Sequence, residues 1–176
     1  MSREIVRFFG FLILILVLSI STPLRGQESG NIQATATVLP ALTVTGMNNL
    51  RFEVVIPGVD KSVDKATVGF AGAFQLQGHN SAEVSLDFAL PPSLLLDSTA
   101  TMPVDFSNTD ASYDDGTGGG QGAPAGNIDP NGPFTLRLGV TGLLDIWLGG
   151  SVHPTITQTG GDYAADVTLT AIYTGN

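Results

Sequence analysis

The sequence predicts an all-β protein folded as a two-sheet antiparallel β-sandwich with Greek-key connections. Apolar and polar side chains alternate along several short segments, which is the period of a half-buried strand. Glycine and proline turn signals separate these segments, and no long helical pattern follows the first 26 residues. Roughly eight to ten short strands are expected from this spacing. A closed β-barrel is the alternative architecture.

The first 26 residues have the layout of a secretory signal peptide. Arg3 and Arg7 precede an apolar run from residue 8 to residue 20, and a polar stretch with Pro23 follows. As a helix this run spans roughly 20 Å, which is shorter than a bilayer core of about 30 Å. We predict a signal-peptide helix, cleavage after Gly26, export to the periplasm, cell surface or medium, and no membrane insertion after cleavage. An uncleaved N-terminal anchor is the alternative.

The remaining chain, residues 27–176, has the size and charge of a single acidic domain. Its 150 residues are enough to enclose one core. It carries four basic and 15 acidic residues, for a net charge of −11. This charge argues against nucleic acid as a partner, since phosphate binding takes clustered Lys and Arg. Cysteine is absent, so core packing, strand pairing or strand exchange must hold the fold in place of disulfides.

The first strand of this domain is predicted over residues 32–45. Proline cannot donate to a ladder, so Pro40 marks an edge or a break within it. One face of this strand carries small apolar side chains, namely Ile32, Ala34, Ala36, Val38, Leu42 and Val44. Further strands are predicted over residues 50–56, 74–76, 82–90, 94–96, 102–106, 134–138, 143–148 and 152–159.

The last strand, residues 163–173, has the most regular alternation in the chain. It follows the turn signal Gly160-Gly161. Its apolar face is predicted to carry Tyr163, Ala165, Val167, Leu169, Ala171 and Tyr173. A half-buried strand of this kind needs a neighbouring edge to pair with and a core to face.

Residues 108–133 are predicted to form one flexible loop rich in Gly and Asp. Carboxylates are the ligands that Ca²⁺ prefers. The loop therefore offers a candidate calcium site, although its spacing matches no EF-hand and no repeated glycine–aspartate array. The alternative is a solvated loop without a metal. The four candidate ligands are Asp110, Asp114, Asp115 and Asp129.

The sequence carries no catalytic constellation, and we predict a protein that is not an enzyme and has no cofactor. No serine lies in a G-x-S-x-G elbow and there is no cysteine. The two histidines, His79 and His153, lack metal-ligand spacing and are read as surface or structural residues. Tyr113 and Trp147 offer stacking surfaces for sugar. A secreted module that binds glycan or calcium is therefore the alternative function.

Four segments, in this order, resemble a family of short secreted bacterial proteins titled a domain of unknown function, which is similar to spore coat protein U and chaperone–usher pilins. The segments are ATATVLPALTVT, LRFEVVIPG, IWLGGSV and GGDYAADVTLTAIYTGN. The resemblance implies an immunoglobulin-like, pilin-like sandwich that is exported and serves as a surface-associated or fimbrial structural subunit. It implies no enzymatic activity. Glu53 departs from the family pattern, which has Gly after the Phe of its L-x-F-G segment.

The pilin-like pattern suggests a mechanism of assembly. An unpaired sheet edge can accept a strand from a neighbouring chain. The uncharged segment 31–38 is our candidate donor, with Ile32, Ala34, Ala36 and Val38 inserted into a second copy. The candidate acceptor strand carries Tyr163, Val167, Leu169 and Tyr173. The partner would be another copy of the chain or an export chaperone; the alternative is that segment 31–38 pairs within its own domain.

Overall fold

The computed structural model describes residues 28–97 and 99–175. The predicted signal peptide and its cleavage site lie outside these ranges. Within them the chain contains strands and turns but no helix, and all strand pairs are antiparallel, which confirms the predicted all-β sandwich class. No helix in the part described is long and apolar enough to cross a membrane. Residues 28–37 are exposed and have no regular structure; the sandwich is formed by the residues after them.

Twelve strands make up the described part of the sandwich. In chain order they are β1 (Thr43–Asn48), β2 (Lys61–Val63), β3 (Gly72–Gln77), β4 (Glu83–Ala89), β5 (Ser93–Leu96), β6 (Ala100–Asp105), β7 (Ala111–Asp114), β8 (Gly126–Ile128), β9 (Phe134–Arg137), β10 (Leu143–Leu148), β11 (Gly150–Val152) and β12 (Thr168–Tyr173). They form a five-stranded sheet in the order β1-β3-β10-β7-β8, a four-stranded sheet β2-β11-β6-β5, and a three-stranded sheet β12-β4-β9. Many neighbours in a sheet are far apart in the sequence, so crossovers connect the layers.

The core lies between the inner faces of these sheets. Phe88 of β4 packs edge-on against Phe74 of β3, with ring centroids 5.9 Å apart, and lies 6.0 Å from Phe134 of β9. Such aromatic pairs add to the stabilisation from area burial alone. Alternation along β4 and β10 buries five of the aliphatic core residues, because every second side chain of these strands faces inward. The fully buried aliphatic residues are Leu76, Val84, Leu86, Leu138, Leu144, Ile146, Leu148 and Val152.

A bend at Gly149 carries the chain from one sheet to another. β10 belongs to the five-stranded sheet, and β11, which begins one residue later, belongs to the four-stranded sheet. A side-chain carbon added at Gly149 would lie 2.8 Å from the backbone nitrogen of Lys65 and closer still to the carbonyl oxygen of Val63. Only glycine allows this close approach of two backbones. The Gly-Gly pair in IWLGGSV is thus a corner of the sandwich.

Three predicted strands are shorter than expected, and of the strand predicted over residues 152–159 only Val152 lies in a strand, at the end of β11. The first begins at Thr43, so the prediction of a strand over residues 32–42 is wrong; Pro40 marks the break. The last begins at Thr168, and residues 163–167 carry only an isolated bridge between Ala164 and Leu95. The prediction that Leu169 lies on the inward-facing side of the last strand is confirmed, because Leu169 is buried.

Two further segments differ from the sequence prediction. Residues 50–56 form no strand, because Glu53 has a φ of 55° and an extended strand cannot pass through the left-handed region. The predicted loop over residues 108–133 contains β7 and β8, which pair with each other. The Asp114 carboxylate binds the backbone of the glycines that follow β7, and this local set of bonds gives the segment a defined structure.

Candidate functional site: an apolar groove

The site begins where β1 and β12 separate. The two strands contact each other, and Tyr173 at the end of β12 bonds to Pro40 just before β1, so the strands run antiparallel. Residues 49–57 follow β1, and residues 160–167 lead into β12. Both irregular segments contribute residues to the lining of one groove, and we name them its two walls.

The groove has a volume of about 1020 Å³, and core-facing side chains form its floor. Leu50, Phe52 and Val55 line one wall, and Tyr163 and Val167 line the other. The floor consists of Phe74, Met102, Val104, Phe106, Leu148 and Val152. Five of the six floor residues are less than one-tenth exposed, yet the groove itself opens to solvent between the two walls. The hydrophobic core therefore extends to the surface along this line.

Both walls offer backbone groups for strand pairing. Neither segment 49–57 nor segment 160–167 is part of a strand in the structure described, and each is bonded at a few points only. The Arg51 N–H donates to the Phe70 carbonyl at 2.8 Å, and the Gly58 N–H donates to the Thr155 carbonyl at 3.0 Å. Ala164 exchanges two bonds with Leu95, each 2.9 Å long. An extended peptide between the walls would meet backbone donors and acceptors on both sides.

Glu53 makes the first wall irregular. Its φ of 55° is one of three left-handed conformations among the non-glycine residues described. This conformation costs a residue with a side chain about 1–2 kcal/mol and costs glycine almost nothing. The family pattern that the sequence resembles has glycine at this position. The left-handed backbone conformation of Glu53 is therefore the conformation that a glycine at this position would favour.

The candidate donor segment is exposed along its whole length. Ile32 and Val38 are 98% and 91% exposed, and Ala34 and Ala36 are exposed as well. Residues 28–42 form no strand, so the alternative of a paired strand within the same domain has no support in the structure. Exposed aliphatic side chains on an uncharged segment are apolar surface that binding could bury.

The candidate acceptor residues fall into two groups. Tyr163 and Val167 line the groove, and the Tyr163 hydroxyl accepts a bond from Gln158 at 2.7 Å while donating to the Thr159 carbonyl at 2.8 Å. Leu169 and Tyr173 lie in β12, which already pairs with β4. The structure therefore brings only the first two to the groove.

The four acidic residues of the calcium candidate do not converge. Each carboxylate accepts bonds from its own local backbone, for example Asp110 from Ser107 at 2.7 Å and Asp129 from Asn131 at 2.9 Å. In residues 28–97 and 99–175, no three His, Asp or Glu side chains gather where they could hold a metal ion. The carboxylates cap turns, which is a common role of Asp in loops.

Asp114 has the densest set of these bonds. Its carboxylate accepts N–H bonds from Gly116 at 2.8 Å, Gly118 at 2.9 Å and Gly120 at 2.6 Å, and the side chain is buried. The bonds from Gly118, Gly120 and Gly116 hold the pKa of Asp114 below its ordinary value, although burial alone would raise it. The ionised carboxylate thus fixes the turn between β7 and β8.

The remaining candidates lie apart from one another. Tyr113 pairs with Ile146 in the sheet and Trp147 pairs with Ser112, so the two aromatic rings point to opposite faces and form no shared platform for sugar. The His153 Nδ1 atom lies 3.0 Å from an Asp60 carboxylate oxygen near the rim of the groove. The N–H of His79 donates to Tyr173 at the other end of the sandwich.

Sequence reasoning identified the floor residues as strand residues but missed the groove. One signal was present, because Val54-Val55-Ile56 is an unbroken apolar run that cannot bury every side chain on one face of a strand. Comparison of the chain with models of known protein families gives no match, and comparison with curated proteins gives none either.

Proposed function

We propose that this protein is an exported, non-enzymatic, surface-associated subunit that assembles into pilus-like filaments by strand donation. Residues 31–38 of one copy would lie in the groove of the next. The observation that carries the proposal is the groove, because apolar side chains line it between two stretches of sparsely bonded backbone. A strand that enters it would bury apolar surface and complete hydrogen bonds at once.

The dimensions of the donor segment support this pairing. Its eight residues extend to about 27 Å as a strand, and segment 160–167, one wall of the groove, has the same number of residues. Burial of side chains of the size of Ile32 and Val38 contributes about 1.5–3 kcal/mol each. The segment carries no charge, so its insertion would bury no unpaired ion in a strongly acidic molecule.

The resemblance to spore coat protein U and to chaperone–usher pilins supports the same role. The alternating N-terminal segment agrees with the pattern of that family. Glu53 departs from the pattern in residue type, although its φ of 55° is one that glycine adopts freely. An export chaperone that fills the groove before assembly is compatible with this function, because the same free walls would accept its strand. The proposal assigns no cofactor and no catalytic residue.

Two substitutions in the donor segment test the proposal. Ala36→Asp places a charge on the face that would enter the groove, whereas Thr35→Asp places the same charge on the opposite face. An inserted charge without a partner is strongly unfavourable, so Ala36→Asp should abolish assembly and Thr35→Asp should leave it largely intact. Assembly of the mature chain is followed by size-exclusion chromatography and negative-stain electron microscopy. Equal assembly by both variants, or none by the unsubstituted chain, contradicts strand donation.

A further inference from the structure

The first wall of the groove changes its inward-facing side at Glu53. Before this residue, Phe52 faces the core and is 8% exposed. After it, Val55 packs against the core, whereas Val54 and Ile56 are 81% and 62% exposed. In a regular strand every second residue shares one face, so Phe52, Val54 and Ile56 would all point inward. The wall is therefore out of phase by one residue, and two β-branched apolar side chains are left in solvent.

The backbone of Glu53 accounts for this change of phase. Its φ of 55° lies in the left-handed region, which disfavours any residue with a side chain. An extended φ at this residue would restore the alternation that the sequence predicts over residues 50–56. Val54 and Ile56 would then turn inward, and Val55 would turn outward. The sequence pattern and the observed wall thus correspond to two arrangements of the same segment.

Few hydrogen bonds hold the wall in the observed arrangement. In the part of the chain described, the five backbone N–H groups of residues 52–56 donate to no backbone carbonyl. The Lys61 ammonium donates to the Val54 carbonyl at 2.9 Å, but this bond is exposed and water can replace it. Backbone bonds from Arg51 and Gly58 fix the two ends. A change at Glu53 is therefore confined to the residues between these ends and breaks one exposed bond.

A donor strand in the groove would favour the extended arrangement. A β ladder takes its hydrogen bonds from extended residues, and a left-handed residue interrupts it. The N–H groups of residues 52–56 that face the groove would pair with the donor. Val54 and Ile56 would turn toward the groove, whose volume is about 1020 Å³, and their burial would add to the driving force.

We infer that the first wall is a two-state element whose inward face is switched by the backbone of Glu53, and that a donor strand selects the extended state. In the unassembled chain Glu53 is left-handed and Val55 faces inward. In the assembled chain Glu53 is extended, and Val54 and Ile56 face inward instead. Selection by a donor rests on the proposed function, whereas the two states belong to the isolated chain.

Single cysteines at positions 54 and 55 report which residue faces inward, because the chain has no cysteine of its own. All chains carry Ala36→Asp, so that none can donate a strand. With Glu53 in place, Val54→Cys should react with a maleimide about 10-fold faster than Val55→Cys, because it is more exposed. Trp147 fluorescence shows that each chain is folded.

Substitution of Glu53 tests the switch without any donor. Glu53→Val and Glu53→Thr place a β-branched residue where the left-handed region is least accessible, so they should reverse the order of reactivity. Glu53→Gly is the matched control and should keep the order, because glycine adopts a left-handed φ freely. An unchanged order in both β-branched variants overturns the inference. Failure of both to fold also overturns it, because a low-lying extended state would accommodate them.

A synthetic peptide of residues 31–38 tests selection by a donor. Saturating peptide should protect Val54→Cys and make Val55→Cys more reactive. Protection of both cysteines would mean that a strand covers the wall without switching it, which contradicts the selection. Glu53→Val should bind the peptide about 3- to 10-fold more tightly than the chain with Glu53, because the competent state is pre-organised. Glu53→Gly should bind it about 3- to 10-fold more weakly, because glycine favours the other state.

Failure of the switch and failure of strand donation give different results. Absence of peptide binding overturns strand donation and selection by a donor, and the order of reactivity in Glu53→Val still decides whether the isolated wall has two states. Peptide binding of equal strength in Glu53→Val and Glu53→Gly leaves strand donation standing and overturns the selection. Opposite shifts in affinity, together with exchanged reactivity, support both.

Discussion

The Tyr173 hydroxyl donates a hydrogen bond to the Pro40 carbonyl at 3.1 Å, across 133 residues of sequence. The same oxygen accepts a bond from the His79 N–H at 2.8 Å. One hydroxyl thus joins the last strand, the turn after β3 and the residue where the exposed N-terminal segment meets the sandwich. This contact fixes the position of Pro40 against the end of β12.

Loss of this hydroxyl should destabilise the sandwich measurably. Tyr173→Phe removes two hydrogen bonds, and each contributes about 0.5–1.5 kcal/mol, so the free energy of unfolding should fall by about 1–3 kcal/mol. Urea unfolding followed by Trp147 fluorescence measures the change. The control is Tyr113→Phe, because the Tyr113 hydroxyl makes no side-chain hydrogen bond within the part of the chain described. Equal losses in the two variants would show that the Tyr173 bonds contribute nothing specific.

Asp114 should make the stability of the protein depend on acid pH. Its pKa is lower in the folded chain than in the unfolded chain, because the N–H groups of Gly118, Gly120 and Gly116 bond to the carboxylate. The ionised form therefore contributes stability above the unfolded pKa, near 3.8. That contribution is lost as the pH falls through the folded pKa.

Asp114→Asn tests this dependence. At pH 7 it should lower Tm by roughly 3–10 °C, because charge-assisted bonds to the backbone are weakened. As the pH falls through the folded pKa of Asp114, the difference from the unsubstituted chain should shrink, because both side chains are then neutral. Asp87→Asn, on an exposed position of β4, serves as the control and should change Tm little at either pH. A difference that stays constant while the pH falls through the folded pKa of Asp114 would contradict an ionic role of this residue.

Replacement of Glu53 by glycine should stabilise the protein even though it removes a side chain. The φ of 55° costs a non-glycine residue about 1–2 kcal/mol. Glycine removes this cost but loses more backbone entropy on folding, by about 0.5–1 kcal/mol. Glu53→Gly should therefore raise the free energy of unfolding by up to about 1 kcal/mol. Glu53→Ala removes the same charge and keeps the strain, so only the glycine variant should gain stability in urea unfolding.

Residues with regular local patterns were predicted well, and residues that depend on distant partners were not. The strand over residues 82–90 corresponds to β4, because its alternation decides both its conformation and its buried face. Apolar and polar residues alternate over residues 50–56 too, but the left-handed backbone of Glu53 interrupts the strand. The residue type does not reveal this, because Glu can adopt either the extended or the left-handed conformation. The groove was not predictable, because its two walls are more than 100 residues apart in the sequence. No local pattern records that they lie side by side.

The loop over residues 108–133 shows the opposite error. Its composition indicates flexibility, yet the Asp114 carboxylate gathers three backbone donors from the glycines that follow it. Spacing of glycines at every second residue after an aspartate allows this arrangement but does not require it. Burial of Asp114 decides the outcome, and burial depends on the packing of β7 between β8 and β10.

The corner at Gly149 should tolerate no side chain. A carbon added there would lie 2.8 Å from the Lys65 nitrogen and closer to the Val63 carbonyl oxygen, and both are backbone atoms of the neighbouring chain segment that cannot rotate away. Gly149→Ala should therefore lower the free energy of unfolding by about 2–4 kcal/mol. The control is Gly132→Ala, where an added carbon meets no atom within 4 Å. That variant should be neutral or slightly stabilising, because alanine restricts the unfolded chain. Urea unfolding of both variants measures the difference, and equal stability would mean that the chain bends between the two sheets without the close approach at Gly149.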